Sequence, residues 1–184
     1  NKKISVLFID LEGQYKETID HINLLKSKNK DVIDTFYWIC LPISLRNAVS
    51  VIQPKWICWD EDEKDKWIRT MPKDSININN CPFGWFYKGM EFEEFIVLFA
   101  NWFNNKKGGI TGCGIGIRSD ESLNRYRTIV SDTKNRYNNY GWTTNLKIKN
   151  ETTNIYNFYP IYDFRTEDIW GAVSSLNLDF NMIY

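Results

Sequence analysis

Residues 4–40 read ISVLFIDLEGQYKETIDHINLLKSKNKDVIDTFYWIC, and the order of patterns within them decides the fold class. Residues 4–9 are apolar except for Ser5, the composition of a strand buried on both faces of a parallel sheet. Tyr15, Ile19, Ile22 and Leu25 then recur at helical spacing, which predicts an amphipathic helix over 14–28. Lysines at 26, 28 and 30 close it with positive charge, as a helix C-terminus favours. Residues 32–40 are rich in β-branched and aromatic side chains and predict the next strand. Strand, helix and strand in this order imply a right-handed parallel crossover, hence an α/β fold.

The rest of the chain fits that class with one interruption. Residues 44–50 predict a short helix. Residues 54–89 break the pattern with an acidic run at 60–63, Pro72, an Asn-rich stretch and Pro82. We read this part as an excursion or lid packed by Trp56, Trp59, Trp67 and Trp85, not as a separate domain. Its acidic run reads as a solvated loop. Helical periodicity resumes over 91–104 through Phe92, Phe95, Ile96, Phe99, Trp102 and Phe103, with Glu93 and Glu94 facing solvent. Gly108-Gly109 stops it. A strand over 112–117, a helix over 119–136, a loop or hairpin over 138–153 and a strand over 156–161 follow. A last helix over 166–176 starts with Thr166 as N-cap and Glu167-Asp168 in its first turn.

A chain of 184 residues with 43% hydrophobic content is long enough for one full core and is most simply one domain. Its 23 basic and 23 acidic residues cancel, so a general electrostatic affinity for nucleic acid or an anionic membrane is not implied. The four cysteines, Cys40, Cys58, Cys81 and Cys113, show no Cys-x-x-Cys spacing, and His21 is the one histidine. A zinc site is therefore not expected. No apolar run approaches the ~20 residues of a membrane span and no signal peptide is visible, so a cytoplasmic setting is the default expectation.

Chemistry concentrates at 108–127. A glycine-rich run from Gly108 to Gly116 passes through a short strand to Arg118, and a helix carrying Arg125 and Arg127 follows. Small residues bring backbone close to a ligand, a helix N-terminus offers free N–H groups, and arginines supply forked donors. Those are the ingredients of a phosphate or sulfate site. Arg118 either contacts such a ligand or pairs with Asp120 or Glu121 to stabilise the turn. Glu121 accepts from Arg118, orienting it, or from a ribose hydroxyl. Ser119, Asp120 and Ser122 also read as N-cap and first-turn residues. Arg127 lies two residues from Arg125 and points elsewhere. From 116 to 136 the basic residues Arg118, Arg125, Arg127, Lys134 and Arg136 outnumber Asp120, Glu121 and Asp132, an excess that suits a nucleotide better than a long polyanion.

These residues carry a resemblance. Gly116-x-Arg118-x-x-Glu121-Ser122-x-x-Arg125 resembles the signature of the phosphoadenosine phosphosulfate (PAPS) reductase family, whose arginines face the phosphosulfate. Residues 159–170, YPIYDFRTEDIW, are similar to that family's Pro-x-x-Asp-Trp-x-x-x-Asp-Val-Trp segment, with Phe164 where Trp is usual. Leu7 to Glu12 resembles its strand end near the adenine. With Gln14-Tyr15, Pro54-Lys55-Trp56 and the Trp-rich middle, the nearest branch looks like the immunoglobulin-binding-regulator type. The resemblance spans most of the chain; the first two motifs are its specific part. It implies a Rossmann-like parallel sheet flanked by helices, of the adenine nucleotide alpha hydrolase-like kind. It also implies an adenine nucleotide, PAPS or ATP, held by Arg118, Arg125, Glu121 and Ser122 at the anionic end and by Asp10, Leu11 and Glu12 near the adenine or ribose.

Departures from the family pattern qualify the activity. The Ser-Gly-Gly-x-Asp-Ser loop that follows the first strand of family members is absent, which leads us to expect a fragment lacking an upstream strand and phosphate loop. No Cys follows Cys113, so PAPS reduction through a Cys–sulfite intermediate is not expected of this stretch. No covalently bound cofactor is expected. The carboxylates of Asp10 and Glu12, at the end of the first strand, would hold Mg²⁺ with ATP, order a ribose, or cap the next helix. Asp163 reads as a structural hydrogen-bond acceptor and Trp170 as core. The alternative to a nucleotide-binding enzyme domain is a regulatory, partner-binding module without turnover. The branch resemblance implies gene regulation beside a ParB-like partner for that alternative. Sulfur transfer to nucleic acid is a third option, whose mark is salt-sensitive binding to RNA or DNA.

Overall fold

The computed structural model describes residues 3–47, 51–131, 135–149 and 151–184. The strands are β1 (Ile4–Ile9), β2 (Ile33–Cys40), β3 (Ser44–Arg46), β4 (Lys55–Ile57), β5 (Ile76–Asn77), β6 (Thr111–Gly114), β7 (Thr143–Asn145) and β8 (Ile155–Phe158). The helices are α1 (Lys16–Lys28), α2 (Phe92–Lys107), α3 (Leu123–Val130) and α4 (Thr166–Ser175). The fold is mixed α/β. The chain divides into two compact units, residues 1–95 with 180–184 and residues 96–179, the division falling within α2. Among the described residues no helix is long and apolar enough to cross a membrane.

In the first unit β1, β2 and β5 form a parallel sheet in the order β1-β2-β5. The expected strand–helix–strand unit is present as β1–α1–β2. Helix α1 starts at Lys16, and its last turn carries Lys26 and Lys28. Lys26 lies over the rings of Phe36 and Trp38, with Nζ 5.3 Å and 5.7 Å from their centroids, so its charge also anchors the helix to β2. Residues 37–41 are buried and continue into buried Ile43, Cys58 and Trp59. The core of this unit therefore lies along β2 and the loop after it. A second cluster joins Phe83, Trp85, Phe86 and Phe95 with centroid separations of 5.1–6.1 Å.

Two expectations are corrected here. Residues 44–46 form a strand, not a helix, because Ser44–Arg46 pairs antiparallel with Lys55–Ile57; residues 48–50 lie outside the described residues. The 54–89 excursion does pack through Trp59, which meets Trp67 edge to face at 5.1 Å. It also returns a strand to the sheet, since Ile76 pairs with Ile39. Sheet pairing outweighs the weak local signal of so short a strand.

The second unit holds a sheet in the order β6-β8-β7, parallel between β6 and β8 and antiparallel between β7 and β8. Ile129, Ile155 and Tyr159 are buried in it, and the hydroxyls of Thr144 and Tyr159 share a 2.8 Å hydrogen bond. Gly114 lets β6 approach Phe158; a Cβ there would stand 2.9 Å from the ring. The helix expected over 119–136 is shorter. A 3-10 turn, Ser119–Glu121, precedes α3, and Ser122 in extended conformation separates them; residues 132–134 lie outside the described residues. Arg165, not Thr166, is the N-cap of α4, and the Asp168 carboxylate accepts from its N–H at 2.8 Å. Trp170 is 43% exposed and so is not core. Asp163 is exposed, and its carboxylate accepts no hydrogen bond among the described residues.

Candidate functional site

The arginine pair lies where a strand end passes into a helix. Ser122 caps α3 by accepting from the Arg125 N–H at 3.2 Å, which fixes the helix start three residues after Arg118 and its turn. Glu121 then stands three residues from Arg118 and four from Arg125. Its Oε1 accepts from Arg118 Nε at 3.2 Å, and its Oε2 pairs with Arg125 Nη1. One carboxylate thus bridges both guanidinium groups. Of the two sequence readings for Glu121, the arginine-orienting geometry is the one present.

Arg118 is tethered further. Its Nη1 donates to Thr166 Oγ1 at 3.3 Å and to the Phe164 carbonyl at 3.5 Å, and Asp120 Oδ2 lies 4.0 Å away. The neighbouring Ser119 donates from both N–H and Oγ to the Tyr162 carbonyl, at 2.8 Å and 2.7 Å. The two motif segments, 116–125 and 159–170, therefore meet around Arg118. The Arg118 side chain is 16% exposed, whereas that of Arg125 is 49% exposed. The two arginines share one bridging carboxylate beside the first turn of α4, where Asp120, Glu167 and Asp168 add further negative charge. Arg127 is exposed and faces elsewhere on α3.

Asp10, Leu11 and Glu12 lie in the first unit, at the end of β1. Asp10 is fully buried. Its Oδ2 accepts from Trp38 Nε1 at 2.8 Å, while Oδ1 accepts from the Glu12 N–H at 3.0 Å and from Arg69 Nη2. Glu12 has φ 62°, in the left-handed region, and its Oε2 accepts from the Trp59 N–H at 2.7 Å. Trp59 Nε1 donates back to the Asp10 carbonyl at 2.7 Å. Arg69 Nε donates to the Glu12 carbonyl at 3.1 Å, and its guanidinium lies 4.9 Å from the Trp59 ring centroid. Asp10 does not cap α1, whose N-cap is Tyr15 with no side-chain hydrogen bond. It ties the strand end to two tryptophan-bearing segments instead.

Leu11 projects from this turn into a cavity of about 240 Å³, also lined by Leu45, Phe92, Arg46, Lys55 and Glu91. Glu91 accepts from Lys55 Nζ at 2.5 Å and lies 3.8 Å from Arg46 Nη2. The hydrogen bond and charge of Lys55, with Arg46 behind, hold its carboxyl below the ordinary carboxylate range. Sequence reasoning missed Arg69, Arg46, Lys55 and Glu91. Arg69 is 59 positions from Asp10 and Lys55 is 36 from Glu91, and no local pattern links such pairs. Among the described residues no group of three or more His, Cys, Asp or Glu side chains could hold a metal ion.

No family model matches the chain, and no solved structure matches it. Among curated proteins it is similar to the uncharacterized protein YbdN of Escherichia coli (strain K12), 42% identical over 188 aligned positions that cover all of this chain and 44% of YbdN. The chain therefore spans less than half the length of the relative that it matches.

Proposed function

We propose that the chain is an adenine-nucleotide-binding domain, of PAPS or ATP type, in a PAPS reductase-like protein with the adenine nucleotide alpha hydrolase-like fold. The observation that carries the reading is the Glu121 bridge. A carboxylate that grips two arginines from consecutive turns holds both forks in place before a ligand arrives, which lowers the entropy lost on binding a phosphate or sulfate. In this reading Arg118 and Arg125 take the anionic end. The resemblance of 116–125 and 159–170 supports the nucleotide as the source of that anion.

Leu11, Leu45 and Phe92, with the charged Arg46, Lys55 and Glu91, form a separate proposed contact for an apolar group within the first unit. Asp10 and Glu12 then act as positioning residues, because their carboxylates are already turned to Trp38, Arg69 and Trp59. Arginines around a departing phosphate or sulfate would stabilise its developing charge, which is electrostatic catalysis. Turnover, and Mg²⁺ with ATP, are proposals for the whole protein.

A regulatory, partner-binding module is the second reading, with a ParB-like protein as the proposed partner. It is favoured by the exposure of Leu123, Tyr126 and Val130 along α3, spaced as helix-borne anchors are. Calorimetric titration of the full-length protein with PAPS and with ATP separates the readings, using Arg118→Ala as control. Saturable binding that the substitution removes supports the nucleotide site. Absence of binding by the unsubstituted protein overturns it and leaves the module.

A further inference from the structure

Residues 137–142 form a turn that is tightly held and yet directs two large rings outward. Tyr140 and Trp142 are 48% and 39% exposed, and their rings stack with centroids 5.2 Å apart and 21° between planes. The backbone beneath them is pinned at several points. Arg136 donates from Nη1 to the Gly141 and Thr143 carbonyls at 2.5 Å and 2.7 Å, and from Nη2 to the Ser131 carbonyl at 3.1 Å. Thr143 donates from N–H and Oγ1 to the Tyr140 carbonyl at 3.0 Å and 2.8 Å, and the Trp142 carbonyl accepts from the Tyr159 N–H at 3.0 Å. Asn138 and Asn139 lie in the left-handed region, at φ 46° and 62°, which Asn tolerates better than most residues. Other side chains of the segment serve the core: Tyr137 meets Tyr156 edge to face at 5.3 Å, and Thr143 and Thr144 are buried. The outward stack is thus ordered before any ligand arrives, which lowers the entropy lost on binding.

The charge around the stack has one sign. Residues 135–149 hold Arg136, Lys147 and Lys149 and no acidic residue, an excess that the zero net charge of the chain conceals. The flanking acids in the sequence are Asp132 and Glu151. Arg136 is satisfied by three carbonyls, and no carboxylate neutralises it among the described residues. Lys147 and Lys149 are exposed and enter no ion pair among the described residues. Lys147 follows Trp142 by five positions, a separation of at most about 18 Å. Ser131, whose carbonyl takes Arg136, lines a cavity of about 380 Å³ with the exposed Arg127, Thr128 and Val130. One guanidinium therefore joins the stack to the end of α3.

We propose that this surface binds single-stranded nucleic acid, with bases stacked on Tyr140 and Trp142 and phosphates against Arg127, Lys147 and Lys149. Every base offers a face to an aromatic ring, and stacking beside a basic track is how unpaired strands are held without sequence preference. The positive excess selects a polyanion over a neutral sugar, which would use the rings and gain nothing from the cations. Lysine and asparagine around the stack also differ from the centre of a protein–protein interface, where lysine is depleted. A duplex keeps its base faces covered, so unpaired strands are the fit. The proposal goes beyond the nucleotide reading and stands without it, since Arg118 and Arg125 are already shared by Glu121.

Fluorescence anisotropy of the full-length protein with a labelled RNA of about 12 nucleotides, and with DNA of the same sequence, tests it. Saturable binding of either strand is expected, and the tighter of the two identifies the sugar that the site prefers. Trp142→Ala and Tyr140→Ala should each weaken binding by roughly tenfold, while Trp142→Phe retains most of it. Both rings are exposed, so melting temperatures should barely move. Lys147→Gln combined with Lys149→Gln should lower the slope of log affinity against log salt by about 1.4. Arg118→Ala should leave this binding unchanged, whatever it does to a nucleotide, so failure of one reading is distinguishable from failure of the other. Absence of saturable binding below about 100 μM at ~50 mM salt overturns the proposal. So does affinity that survives in both alanine variants, duplex binding as tight as that of the single strands, or equal binding of a neutral oligosaccharide through the same rings.

Discussion

The Trp38 indole N–H donates to Oδ2 of Asp10 at 2.8 Å, joining a fully buried carboxylate at the end of β1 to the middle of the unit's core. The same carboxylate receives Arg69 and the Glu12 backbone. A buried charge is tolerated when its lone pairs are taken up in this way. Asp10→Ala leaves both the indole and the guanidinium without their acceptor. The expected cost is about 3–5 kcal/mol, read as a lower urea midpoint with an unchanged slope. Asp10→Asn keeps an acceptor for Trp38 and should recover part of the loss.

Arg118 holds Glu121 through Nε and both Thr166 and the Phe164 carbonyl through Nη1 of one planar group. A lysine keeps the charge and cannot make that fork. If the proposed anion site is real, Arg118→Lys weakens the affinity for PAPS or ATP by roughly tenfold, about 1.4 kcal/mol, and leaves thermal stability nearly unchanged. Calorimetry and a melting curve on the same sample check both halves. Equal affinity for the lysine variant would mean that only charge matters at this position.

Gly114→Ala puts a Cβ 2.9 Å from the Phe158 ring, while Gly112→Ala meets the same ring at 3.4 Å. The first should destabilise by about 1–3 kcal/mol through displacement of the ring, and the second by clearly less. Denaturation midpoints of the two variants provide the comparison.

Cys58 is buried, with its thiol directed at the Leu41 and Ile43 carbonyls at 3.5 Å. Burial pushes its pKa from 9.0 up to about 12, and burial raises Cys40 further. The folded state favours the neutral thiols. Their contribution to stability is therefore complete below the unfolded pKa near 9.0 and is lost as pH rises through about 12. Unfolding midpoints should fall with increasing pH in that range, less steeply for Cys58→Ala. At pH 8 iodoacetamide should leave Cys40 and Cys58 unmodified in the native protein and label both in denaturant.

What residues 4–40 and 116–125 determined on their own was local. The 3.6-residue period of Tyr15, Ile19, Ile22 and Leu25 and the apolar runs on either side specify β1–α1–β2, because those periods decide which side chains share a face. The short spacing of Arg118, Glu121 and Arg125 keeps three charges close along the chain, and the 3-10 turn followed by the Ser122-capped start of α3 brings them together. The tertiary structure decided the rest. Arg69 reaches Asp10 across 59 positions, Glu91 collects Arg46 from a stretch expected to be a helix and Lys55 from one expected to be an excursion, and Ile76–Asn77 closes one edge of the sheet. These partners are chosen by competition among distant segments for the same buried surface and backbone groups. That competition is settled only when the whole chain packs, so no local period announces it.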